Sequence, residues 1–148
     1  MTRVFGKRSL DNLATCHPAL VRVATRALGL SRQDFTVIEG HRGREAQEAA
    51  YRAGASKVRF PNSAHNQQPS CALDVIPYPF KGWNDKDIHA ELKEIARAFF
   101  AAAELEKVTI RWGGNWSSRR VEDKGTGFVD SPHFELHPWR DWASGKLK

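Results

Sequence analysis

The sequence predicts a single α+β domain, with a small antiparallel sheet flanked by helices. Three observations lead there. Candidate strands and helices are interspersed, with too few β-α-β units for a doubly wound parallel sheet. At 148 residues the chain suits one core and leaves little room for a second. Hydrophobic residues make up 41% and charged residues 27%, a globular composition rather than a disordered one.

The elements follow in order. Residues 18–28 carry Leu20, Val23, Ala24, Ala27 and Leu28 at helical spacing, and Gly29 stands where a helix C-cap belongs. Residues 35–38 are β-branched and aromatic, predicting a short strand ended by Gly40. Residues 44–53 are rich in helix formers and stop at Gly54. The polar stretch 56–70, with Pro61 and Pro69, reads as a loop. A buried strand is expected over 72–76, terminated by Pro77 and Pro79. Asn84 or Asp85 then caps a long helix over 87–105, with Leu92, Ile95, Ala96, Phe99 and Phe100 on one broad face. Residues 108–112 and 133–137 are the remaining strand candidates, separated by a glycine-rich, charged loop over 113–126. The division expected is a domain over 1–137 and a tail over 138–148, whose Trp139 and Trp142 pack back on the domain.

Lys and Arg number 23 against 17 Asp and Glu, a net charge of +6. Such a balance suits nucleic acid, an anionic membrane or an acidic wall polymer, and equally a merely soluble basic surface. No helix-turn-helix, zinc-finger or aromatic RNA-binding motif is visible, so nucleic acid is not expected. No apolar run approaches the ~18 residues of a membrane span. The N-terminus is basic but lacks the apolar core and small-residue cleavage site of a secretory signal. Cys16 and Cys71, the only cysteines, lack C-x-x-C spacing and read as reduced thiols without a chemical role.

Metal-competent residues gather in three fragments: Ser63-Ala64-His65 with Ala72-Leu73-Asp74, then Asp130-Ser131-Pro132-His133-Phe134-Glu135, and Gly40-His41-Arg42. Catalytic zinc needs three N, O or S ligands and one open position. His65, Asp74 and His133 supply such a set. Asp74 lies between Leu73 and Val75 in an apolar strand, where a carboxylate demands a cation or hydrogen bonds. The two-residue period puts His133, Glu135 and His137 on one face. No H-E-x-x-H helix is present, so spacing alone favours hydrogen-bonded histidines and an arginine-paired Asp74 over a metal site.

These fragments resemble the zinc peptidases of the D-alanyl-D-alanine carboxypeptidase family, and within it the phage endolysins of the L-alanyl-D-glutamate endopeptidase type. That group shows a Ser-x-His, an Ala-x-Asp and a final Asp-x-x-His, here Ser63-Ala64-His65, Ala72-Leu73-Asp74 and Asp130-Ser131-Pro132-His133. The N-terminal run from Phe5, the stretch from Asp34 to Arg42, and Arg111-Trp112-Gly113-Gly114-Asn115-Trp116 are similar too, so the likeness spans about residues 5–136. There are departures. Eight residues separate His65 from Asp74, where the family pattern has six and a glycine. Asn115 stands where many relatives have Asp, and His41 where Tyr or Ile is common.

The resemblance implies a hedgehog/DD-peptidase-like domain holding zinc through His65, Asp74 and His133. It implies Asp130 as the catalytic carboxylate, and Arg42 as a charge that holds a substrate carboxylate or stabilises the oxyanion. Ser63 becomes a candidate for binding substrate. Glu135 and His137 become candidates to orient a ligand, with His137 in reserve as a ligand itself. Trp112 and Trp116 are candidates to wall the groove. The implied activity is hydrolysis of the L-alanyl-D-glutamate bond of the peptidoglycan stem peptide, causing host lysis. A monomer is expected, without stable membrane association, accumulating in the host cytoplasm until the wall is exposed. Two rivals remain: a D-alanyl-D-alanine carboxypeptidase on the same scaffold, and a non-catalytic basic module binding wall polymer or nucleic acid.

Overall fold

A computed structural model describes residues 3–117, 121 and 129–148. Five α-helices and four strands are found among them: α1 (Lys7–Leu13), α2 (Pro18–Leu30), β1 (Phe35–Glu39), α3 (Arg44–Arg52), β2 (Ala72–Pro77), α4 (Ile88–Glu106), β3 (Ile110–Trp112), β4 (His133–Leu136) and α5 (Trp139–Ala143). The strands form one antiparallel sheet in the order β1-β2-β4-β3. The expected α+β class is therefore the observed one.

One face of the sheet carries the core. Phe99 of α4 stacks on Phe134 of β4 with ring centroids 4.0 Å apart, and meets Phe35 of β1 at 5.5 Å. Trp112 of β3 lies opposite Phe134 in register and is buried with it. α2 packs along α4 through Leu20, Val23, Ala24 and Ala27, all fully buried. Since strand side chains alternate, burying Phe134 under α4 turns its neighbours His133 and Glu135 to the opposite face. That face bears the site.

Most element boundaries match the sequence pattern. α2 differs: it runs through Gly29 to Leu30, with Ser31 extended beyond it. A glycine is required at a helix end only where the chain turns left-handed, and Gly29 makes no such turn, whereas Gly54 after α3 does, with φ +78°. α1 carries too little apolar periodicity to be foreseen, burying only Ser9 and Leu13. The tail folds back as α5, with Trp142 buried and its indole donating to the His137 carbonyl. Of the loop expected over 113–126, residues 118–120 and 122–126 lie outside the described residues. Cys16 and Cys71 are free and buried, and burial pushes their thiols up to about 12 and about 11. Among the described residues no helix is long and apolar enough to cross a membrane.

Candidate active site

Register assembles the first row of the site. Asp74 of β2 lies between Glu39 of β1 and His133 of β4. His65 comes from outside the sheet, on a 3-10 turn over Ala64–Asn66. Ser63 caps that turn: its hydroxyl accepts from the His65 amide at 3.2 Å, while Asn66 Oδ1 accepts from the Ser63 amide at 3.0 Å. The longer His65–Asp74 interval is tied down by Ser70 N donating to the Thr15 carbonyl and Cys71 N to the Ala64 carbonyl. The two extra residues are thus absorbed without separating the pair.

His65 Nε2, His133 Nδ1 and Asp74 Oδ1 form a triangle whose three edges are each 3.2 Å. Ligands about 2.0–2.1 Å from a tetrahedral zinc stand roughly 3.3 Å from one another. The donor set is two imidazoles and a carboxylate, which suits a borderline-soft divalent ion with one open position. The outer nitrogen of each imidazole is already held. His65 Nδ1 lies 2.7 Å from the Gly40 carbonyl, to which it can only donate, and His133 Nε2 lies 2.8 Å from Glu135 Oε1, so a cation that displaces the protons facing Asp74 would meet a lone pair on each inner nitrogen. On chemistry and size, these residues can hold a metal ion.

The electrostatics also favour a cation. Burial alone would lower the His133 imidazole, but the hydrogen-bonded Asp74 and Glu135 carboxylates reverse this and push it up to about 10. Burial works to raise Asp74, yet the charge of His65 and hydrogen bonds from both imidazoles hold it far below the usual carboxylate range. Arg42 supports Asp74 from behind. Its guanidinium pairs with Glu39, donates to Gln47 Oε1 at 3.0 Å, and stands 3.7 Å from Asp74 Oδ2. Gln47 is completely buried and also donates to the Val58 carbonyl at 2.7 Å.

Asp130 reaches the trio from the loop before β4, with Oδ2 3.9 Å from His133 Nδ1. Burial raises its carboxyl above the ordinary value; the Asp74 charge adds to this and His133 opposes it. Gly113 fixes the approach. Its carbonyl accepts from Asp130 N at 2.7 Å, and a Cβ there would stand 2.1 Å from the Asp130 carbonyl oxygen. A cleft of about 450 Å³ opens over the site, with Arg42, Ser63, His65, Asp130 and His133 on its walls. Asp74 does not line it.

All six residues expected from the sequence are therefore gathered here, Asp74 below and the other five at the cleft. Trp116 lines the cleft, its ring 5.2 Å from that of His133. Trp112 does not: its register with Phe134 sends it into the core. His137 stands apart from the trio, beside Arg111. Sequence reasoning gave no role to Glu39, Gly40, Gln47, Gly113 or Arg111, although all but Gln47 stand in fragments it singled out. Gln47 is the buried residue of α3, and that burial is visible only in the folded chain.

The sequence profile of the phage L-alanyl-D-glutamate peptidases matches residues 1–137. The chain is 34% identical over 143 residues to the L-alanyl-D-glutamate peptidase of Escherichia phage T5, covering 92% of this chain and 99% of that protein. It is also similar to the crystal structure of the Serratia marcescens L-Ala D-Glu endopeptidase ChiX, with a TM-score of 0.71, 34% identity, and coverage of 94% and 92% of the two chains.

Proposed function

The chain belongs to the phage L-alanyl-D-glutamate peptidase family, and from that premise we propose that it is a zinc-dependent endopeptidase cutting the L-alanyl-D-glutamate bond of the peptidoglycan stem peptide. The observation that carries the reading is the 3.2 Å triangle of His65, Asp74 and His133, with both histidines on the wall of a cleft that also holds Asp130 and Asp74 just beneath it. A zinc ion held by the three would supply Lewis acidity, polarising the scissile carbonyl and bringing the pKa of water toward neutrality.

The chain's own residues do the rest. Asp130 accepts the proton of the attacking water at its carboxylate and delivers it to the glutamate nitrogen as the C–N bond breaks. The products are an alanyl carboxylate and a free glutamyl amine. A carboxyl raised by burial holds an abstracted proton more firmly than an exposed one, which suits it to carry that proton to the leaving nitrogen. Arg42 contributes fixed positive charge beside the developing oxyanion. Ser63, whose Oγ already accepts from His65 N, can donate its hydroxyl proton to a substrate carbonyl. In this reading the protein accumulates in the host cytoplasm and acts as a monomer on the wall at lysis.

The test is mass spectrometry of peptidoglycan digested with and without chelator. Stem peptides released after the first L-alanine, abolished by chelator and restored by zinc, are expected. Loss of a terminal D-alanine alone would instead indicate a carboxypeptidase, and no cleavage by folded, zinc-loaded protein would indicate a binding module.

A further inference from the structure

Beside the row of Glu39, Asp74 and His133 runs a second: Ala72, Glu135 and Arg111, again in register across β2, β4 and β3. Arg111 thus sits on the site face and lines the cleft. Its chemistry is incomplete. Nε is buried and has no hydrogen-bond partner. Among the described residues, Nη1 has only a 3.5 Å approach to His137 Nδ1, and the guanidinium lies 5.4 Å from the centre of the Trp116 ring. Glu135, directly across the ladder, turns its carboxylate to His133 instead. Among the described residues, no carboxylate pairs with Arg111.

A guanidinium is charged at all relevant pH and presents a planar fork of donors that fits a carboxylate. With no carboxylate partner among the described residues, the guanidinium keeps donor capacity that a ligand entering the cleft can take. The substrate in the proposed reading carries the matching group. Glutamate has two carboxyls, and its nitrogen belongs to the scissile bond. One carboxyl continues the stem, so the other remains free, within a few bonds of the leaving nitrogen.

We propose that Arg111 is the carboxylate receptor of this cleft, binding the free carboxylate of the glutamate on the leaving side and selecting it over the corresponding carboxamide. This rests on the endopeptidase reading above. The Trp116 ring faces the guanidinium across 5.4 Å, and both line the cleft.

The experiment uses the zinc-loaded enzyme and two synthetic stem peptides that differ only at this group, free acid against amide. Wild-type kcat/KM is expected to be roughly 10- to 100-fold higher for the acid, the range of a charge-assisted pair. In R111Q the acid substrate loses that advantage and the ratio falls to about threefold or less, with zinc content unchanged. R111K keeps the charge without the fork and gives an intermediate ratio. An unchanged ratio in R111Q, or a wild-type enzyme indifferent to the two peptides, overturns the proposal while leaving the endopeptidase reading intact. If R111Q does not fold, R111K decides: a wild-type ratio there overturns the proposal. Should the wild-type enzyme cut neither peptide after alanine, the endopeptidase reading itself fails and the proposal with it.

Discussion

Two arginines face the same cleft from opposite edges of the sheet, and they are built for different work. Arg42 follows β1 and is engaged on every side: Glu39 and Gln47 accept from it, Asp74 stands at 3.7 Å, and its side chain is 11% exposed. Arg111 lies in β3 with a buried Nε that nothing accepts. A cation tied to protein carboxylates supplies fixed charge and holds other groups in place, whereas an untied one is available to a ligand. Residue type alone does not separate these roles; what surrounds each guanidinium does.

The comparison breaks most completely at what both arginines flank. His65→Ala removes one vertex of the triangle, so zinc content measured by atomic absorption should fall to near zero and cleavage by on the order of a thousandfold. Retained activity in a zinc-free variant would remove the metal from the reading. Next comes Arg42→Met. It leaves Glu39, Gln47 and Asp74 without their shared donor, which should cost about 2 kcal/mol of stability and weaken zinc binding roughly 10- to 100-fold. Arg111→Met, by contrast, breaks no ion pair among the described residues, and its stability should stay within about 0.5 kcal/mol of wild type. Equal losses in thermal unfolding of the two variants would erase the distinction.

Gly113→Ala probes a different contact at the Arg111 edge. Its Cβ would stand 2.1 Å from the Asp130 carbonyl oxygen, so Asp130 must move. A displacement near 1 Å should cost about 100-fold in kcat, with zinc content preserved. A variant that also lost its zinc would show that Gly113 supports the trio rather than Asp130.

These residues also mark where the sequence was readable. α2 and α4 were legible because their apolar positions repeat at helical spacing, and β2 because a short apolar run ends at prolines. His65, Asp74, Asp130 and His133 were legible as collinear motifs, not from spacing, since no short helical pair fixes them. Gly40, Glu39, Gln47 and Gly113 were not legible. Each acts on a partner set by packing: Gly40 admits Thr15 Oγ1 and the Asn12 carbonyl where a Cβ would stand, 2.3 and 2.6 Å away. Arg111 was quoted within a motif, but its missing partner is a property of the folded cleft alone.

A third arginine sharpens the contrast from outside the site. Arg97 grips Glu94 with two donors, at 2.8 and 2.7 Å, but its side chain is 44% exposed. The Arg97 hydrogen bonds hold the Glu94 carboxyl down at about 2, assisted by the Arg32 amide. A carboxyl lowered on folding stabilises the protein above its unfolded pKa, near 4.5, and this is lost as pH falls toward the folded value. Because water screens the pair, the stabilisation should be under about 1 kcal/mol. Glu94→Gln should therefore unfold slightly earlier than wild type in urea at pH 7, with a gap that narrows steadily below pH 4.5 and no change in cleavage at neutral pH. A gap that widened on acidification would mean that Glu94 is not held as a paired carboxylate. Arg97 would then belong with Arg111, as a guanidinium without a committed partner, rather than with Arg42.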